Sequence, residues 1–143
     1  MTPETSRSAR PDSIGARLII ADDNEEMRWL VRAILGDRFE EIVEAADGRE
    51  LIWHLMRSRR GRTRAGKPCV VVVADVWMPV YDGLEVIAAW QDGEPNVPLV
   101  VITSFPEEAV REKAAMLGAV FLAKPFTRAD LLAAVAQAIG ERG

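Results

Sequence analysis

Five side chains have types and positions suited to chemistry: Asp22, Asp23, Asp75, Thr103 and Lys124. Each stands at the end of a short apolar run, or just past it. Three carboxylates brought together repel one another unless a cation joins them. Oxygen ligands with no His or Cys beside them suit Mg²⁺ rather than Zn²⁺. A carboxylate next to Mg²⁺, a lysine and a hydroxyl is equipped to accept a phosphoryl group. The metal and the lysine neutralise phosphoryl oxygens, and the hydroxyl donates one hydrogen bond.

These residues can converge only if the apolar runs are parallel strands. Arg17-Leu-Ile-Ile-Ala21 reads as a strand that stops at Asp22-Asp23-Asn24, a group of helix-capping residues. Met27, Leu30, Val31, Ile34 and Leu35 then recur at helical spacing, and Gly36 ends that helix. Glu41–Ala45 is a weaker strand. Asp47-Gly-Arg-Glu opens a second helix with Leu51, Ile52, Leu55 and Met56 on its apolar side. Cys69 to Asp75 is nearly all apolar, as in a parallel strand covered by helices on both faces. A helix from about Gly83 to Trp90, a strand Pro98–Ile102 and a helix Pro106–Leu117 follow, with Pro at the start of that helix and Gly118 after its end. Ala119–Leu122 is the fifth strand, and Thr127 caps a last helix carrying Leu131, Leu132, Val135 and Ile139. Five β–α units in sequence imply a doubly wound parallel α/β sheet. Ligands of such sheets bind at the carboxyl ends of the strands.

Composition excludes several classes. The chain has 143 residues, 49% apolar and 28% charged, which are proportions of one globular domain. Its formal charge of −4 argues against binding nucleic acid through overall charge. No run is long and apolar enough to span a bilayer, the first residues lack a signal-peptide core, and one cysteine forms no internal disulfide. A cytoplasmic protein is expected. Residues 1–16, rich in Ser, Thr, Pro and Arg, read as a disordered tail, and residues 141–143 as a short C-terminal one. Charge is unevenly spread: residues 57–67 hold six basic residues and no acid, and the rest of the chain carries 12 basic against 22 acidic residues. The basic strip joins the second helix to the third strand, at the strands' amino ends. It is expected to dock a partner, with unpartnered solvated charge as the alternative.

Some motifs are set aside. Gly61 to Lys67 fits the start of a P-loop, but Pro68 stands where Ser or Thr must hold Mg²⁺, and the segment precedes a strand instead of following one. His54, on the second helix, is expected to be half-buried and structural, and Cys69 inert. Trp29, Trp53 and Trp90 are expected to pack. Met78-Pro79 and Asp82-Gly83 shape the turn after Asp75.

The stretches ADDNEEMR, ADVWMPVYDGLEV, VVITSFPEE and GAVFLAKPF stand in the order and at the approximate spacing of a known family. Over residues 17 to about 140 the chain resembles the receiver domain of two-component response regulators. The resemblance implies a flavodoxin-like (βα)5 fold with strand order 2-1-3-4-5 and a receiver domain over residues 17–140. Asp75 would be the phosphoacceptor, with Thr103 and Lys124 contacting the phosphoryl group. Asp22, Asp23, Asp75 and the backbone carbonyl of Trp77 would hold Mg²⁺. Thr103 and Phe121 would be the switch pair that repacks the surface of helix 4, strand 5 and helix 5. The Lys124–Pro125 bond would be cis, as is typical of the family.

The implied partners are a sensor histidine kinase or phosphotransfer protein and an unknown output protein, with no direct nucleic-acid or membrane binding. The chain would be a monomer or a phosphorylation-linked homodimer. It would promote only its own phosphorylation and dephosphorylation, so it is no conventional enzyme. No output domain follows the last helix, so a stand-alone regulator or a piece of a longer one is expected. A phosphorylation-independent pseudo-receiver binding module is the main alternative, and a hydrolytic phosphatase a weaker one. Trp77 and Phe105, bulky and apolar near the acceptor, are expected to slow hydrolysis of phospho-Asp75, because neither can orient a water.

Overall fold

The computed structural model describes residues 15–76, 83–91, 97–104 and 107–140. The tails, Trp77, Met78, Pro79, Asp82, Phe105 and Pro106 lie outside the described residues. Ala16 is buried, and its carbonyl accepts a hydrogen bond from the amide of Glu40.

Strands and helices alternate as β1 (Arg17–Ala21), α1 (Glu25–Leu35), β2 (Glu41–Ala45), α2 (Gly48–Met56), β3 (Val70–Asp75), α3 (Gly83–Trp90), β4 (Leu99–Thr103), α4 (Glu108–Met116), β5 (Val120–Ala123) and α5 (Arg128–Ile139). A short 3-10 turn, Gly36–Arg38, follows α1. All strand pairings are parallel, and the order is β2-β1-β3-β4-β5. Every residue of β3 is buried, as its unbroken apolar run requires of a strand with helices on both faces.

Side chains alternate across the sheet and build two cores. Ile19, Val72 and Val101 point to one side and meet Leu51 and Leu55 of α2, Leu84 and Ile87 of α3, and Val110 of α4. Leu18, Ile20, Val71, Val73 and Ile102 point to the other and meet Val31 and Leu35 of α1, and Leu131 and Val135 of α5. Truncating one such side chain, as in Leu51→Ala, removes transfer energy and leaves a cavity, a cost of about 2–5 kcal/mol.

The helix starts follow their capping residues. Asn24 Oδ1 accepts from the amides of Glu26 and Met27 at 2.8 and 3.3 Å. Asp47 Oδ1 accepts from the amide of Glu50 at 2.9 Å. Thr127 and Asp130 form a reciprocal capping box, at 3.0 and 2.9 Å. α5 stops at Gly140, whose φ of 88° suits glycine.

The tryptophan expectation needs correcting. Trp29 and Trp53 are 68% and 55% exposed, and Met56 on the expected apolar side of α2 is 75% exposed. Of the three described tryptophans, Trp90 alone packs against a core. The reason is helical phase: Val31 and Leu35 take the buried side of α1, and Leu51 and Leu55 that of α2. Trp29 and Trp53 therefore fall outward. The basic strip folds back as a small hairpin, in which the Thr63 amide donates to the Lys67 carbonyl at 2.7 Å and Arg62 pairs with Pro68. It leads into β3 at the sheet's amino end, opposite the acidic residues. His54 is half-buried, and its Nε2 lies 2.9 Å from the Glu44 carbonyl. Cys69 is a half-buried free thiol one residue before β3. No helix among the described residues is long and apolar enough to cross a membrane.

Candidate functional site

The register brings the polar residues together. Ala21 pairs with Ala74, so Asp22 follows on one strand where Asp75 follows on the next. Asp75 pairs with Ile102, so Thr103 comes next on β4. Thr103 pairs with Ala123, so Lys124 leaves β5 beside it. The Lys124 amide donates to the Thr103 carbonyl at 2.9 Å. The Lys124–Pro125 bond is cis, as expected.

The lysine side chain reaches back across the sheet edge. Its Nζ donates to Asp75 Oδ2 at 2.9 Å and to Asp22 Oδ2 at 3.0 Å. Both acids are buried, as is Thr103, while Asp23 is exposed. Asp22 is held on both oxygens, because Oδ1 accepts from the Asn24 amide at 2.9 Å. One oxygen from each of Asp22, Asp23 and Asp75 lies within 4.8 Å of the others.

Burial and pairing pull these groups in opposite directions. Burial alone would lower the pKa of Lys124, but its bonds to Asp75 and Asp22 outweigh that and hold it raised. Burial raises the pKa of Asp22, and the opposing bonds from the Asn24 amide and Lys124 do not cancel it; the nearby Asp75 charge pushes the same way as burial. The ammonium thus stays charged between two carboxylates, one of which ionises reluctantly. Such a cluster attracts further positive charge. Its donors near the buried pair are carboxylate oxygens, with neither His nor Cys among them, so the set fits Mg²⁺.

Two basic residues near the site escaped the sequence reading. Arg28 Nη1 donates to the Asp22 carbonyl at 2.8 Å while its Nε donates to Glu44 Oε1 at 2.9 Å. Arg32 bonds the other Glu44 oxygen at 2.8 Å. Burial would raise the Glu44 pKa, but the Arg32 and Arg28 bonds outweigh it and hold it low. The signal was present: Arg28 lies one helical turn after the Asn24 cap, on the helix that Asp22 introduces. Arg111 of α4 sits over the half-buried Phe121, with its guanidinium carbon 4.5 Å from the ring centroid. No motif in the sequence marks that pair.

A parallel five-stranded sheet of this order, with acids and a lysine at its carboxyl edge, defines the flavodoxin-like class with its site in the expected place. Within that class the chain belongs to the response regulator receiver domains, whose family model matches residues 18–136. It is 27% identical over 124 residues to the chemotaxis protein CheY of Halobacterium salinarum, covering 86% of this chain and 96% of that one. It is 32% identical over 130 residues to the transcriptional regulatory protein PdtaR of Mycobacterium tuberculosis, covering 89% of this chain but only 58% of that one. Among solved structures, the chemotaxis protein CheY4 of Vibrio cholerae superposes with a TM-score of 0.68 at 26% identity, covering 87% of this chain and 98% of that one. The chain is thus a receiver domain of a two-component system.

Proposed function

We propose that this receiver accepts a phosphoryl group on Asp75 from a histidine kinase or phosphotransfer protein in the cytoplasm and signals the change to an output partner. The observation that supports this best is the Lys124 ammonium shared by Asp75 and Asp22 inside a three-carboxylate cluster. Asp75 is the nucleophile: a carboxylate oxygen attacks phosphorus as the bond to the donor nitrogen breaks. Lys124 then exchanges a carboxylate oxygen for a phosphoryl oxygen, and the Thr103 hydroxyl donates to another. Asp22, Asp23, Asp75 and the Trp77 carbonyl would hold Mg²⁺, which supplies positive charge to the phosphoryl oxygens.

The same residues link chemistry to signalling. Drawing Thr103 toward the phosphoryl group frees space beside β4, and Phe121 moves into it. That repacks the surface of α4, β5 and α5. The two arrangements need differ by only a few kcal/mol for phosphoryl contacts to shift their populations. The chain turns over no free substrate in this scheme.

The test is incubation with acetyl phosphate and Mg²⁺ followed by intact mass. Wild type is expected to gain one phosphate and Asp75→Asn none. Phosphorylation of Asp75→Asn at the wild-type yield would place the acceptor elsewhere. Asp23→Ala is expected to weaken Mg²⁺ binding measured by titration, and an unchanged affinity would move the metal site.

A further inference from the structure

Two surfaces of this chain complement each other yet cannot meet within one copy. α1 turns Glu25, Glu26, Trp29 and Leu30 outward. The spacing of four from Glu25 to Trp29 and from Glu26 to Leu30 puts them on one helical face. Trp29 is 68% exposed and Leu30 37%, so this face is both acidic and apolar.

On the opposite face of the sheet, α2 and α3 leave a groove of about 310 Å³ lined by Ile52, Leu55, Met56, Val86, Trp90 and Arg60. No acid lines it. Met56 of the groove and Trp53 of the same helix stand exposed. The Arg57 guanidinium carbon lies 3.4 Å from the Trp53 ring centroid, and that of Arg60 5.1 Å from the Trp90 centroid. Stacking of this kind leaves the charge in place while covering the ring. Beyond lies the strip of residues 57–67, six basic and none acidic. The described groove is thus apolar with a basic edge, and Glu40 and Glu41 lie farther off, in the recess that Arg57 and Arg59 line at the sheet's amino end.

We propose that the acidic face of α1 on one copy seats in the α2–α3 groove of a second copy. Glu25 and Glu26, at the start of α1, would meet Arg57, which follows the last residue of α2 and lies over Trp53. Trp29 and Leu30 would cover Trp53, Met56 and the groove. The antiparallel arrangement also sets the positive end of one helix dipole beside the negative end of the other. Charge favours this occupant: outside residues 57–67 the chain carries 12 basic against 22 acidic residues, and α1 joins acids to an exposed indole. The contact is heterologous. The pair keeps a free groove on one copy and a free α1 on the other, so association continues head to tail. One helix in one groove buries less than about 1,200 Å², so the contact is weak and salt-sensitive.

The inference does not rest on the phosphoacceptor reading, so its test uses the full chain in EDTA without a phosphodonor. Sedimentation velocity is run over rising protein concentration at about 0.05 M and about 0.5 M salt. The expected result is an average mass that climbs past one chain at low salt and falls back at high salt. Two variants then separate the halves: Glu26→Ala with Trp29→Ala, and Met56→Ala with Arg57→Ala. Each alone is expected to stay at one chain. Mixed, the intact groove of the first and the intact α1 of the second are expected to form a one-to-one pair. These residues are exposed, and circular dichroism checks that each variant is folded. If either pair unfolds, Glu26→Lys and Arg57→Glu replace them with the same expected readings. A wild type that remains a single chain at every concentration overturns the proposal. So does a variant that self-associates alone, or a mixture that stays at single-chain mass.

Discussion

Replacing Lys124 by Met keeps an unbranched chain but removes the cation from the acidic cluster. In the wild type its Nζ lies 2.9 Å from Asp75 and 3.0 Å from Asp22, with 14% of the lysine side chain exposed. Orphaning a buried charge costs about 3–5 kcal/mol when that charge has no escape. Here there are two escapes. Asp22, already raised by burial, takes up a proton more easily once the lysine is gone. Water also reaches the exposed edge of the site. The expected loss is therefore about 2–4 kcal/mol at pH 7 in EDTA, or about 6–16 °C in Tm for a chain of this size. Its pH dependence has a definite sign. Lys124 has a raised pKa, so its stabilisation is present through neutral pH and is lost as pH rises through the folded-state value. On the acid side the variant recovers as Asp22, whose pKa burial raises, takes up a proton, so the gap between the proteins narrows from neutral to acid pH. Mg²⁺ is expected to stabilise the variant more than the wild type, because no internal cation competes for the same oxygens. Urea unfolding followed by circular dichroism, at neutral and acid pH and with EDTA or Mg²⁺, measures each term. Equal stability in EDTA at pH 7, or an Mg²⁺ gain no larger than in wild type, would refute the reasoning.

Other outcomes can be measured. Thr127→Ala removes the hydroxyl that caps α5 and is expected to cost about 1 kcal/mol in urea unfolding; an unchanged midpoint would mean that the capping box contributes nothing. Glu44, held low by its two arginines, stabilises the fold above its unfolded pKa and loses that contribution as pH falls through the folded value. Glu44→Gln should therefore be less stable than wild type at pH 7, with the difference shrinking only as pH falls through the lowered folded value, and a difference that persists unchanged in acid would contradict this. Neutralising Arg59, Arg60, Arg62 and Arg64 should leave phosphorylation by acetyl phosphate intact, since the strip lies at the amino end of the sheet; a large loss of yield would tie it to the site. Phosphoprotein decay should accelerate about tenfold or more in Trp77→Asn with Phe105→Glu, and equal or slower decay would show that these side chains do not guard the bond.

Much of this protein was legible in one dimension. The β3 run could only be a strand covered on both faces, because it has no polar side to offer water. Asn24, Asp47 and Thr127 announced helix starts, because their side chains serve amides within three residues along the chain. The acids at the ends of β1 and β3 and the lysine after β5 had to share an edge once the strands were parallel. Tertiary structure decided what those residues do to one another. Lys124 meets Asp22 across 102 positions and Asp75 across 49, a contact that depends on strand order and register. The outward turn of Trp29 and Trp53 was likewise hidden, because apolar spacing on α1 and α2 allows several helical phases and only the packed sheet selects one. Arg28 at Asp22 and Arg111 over Phe121 arise where separate elements touch. Local signals act through bonds of a few residues, and the sequence states those directly. Long-range contacts depend on how whole elements pack, and that is settled only when the chain has closed around its core.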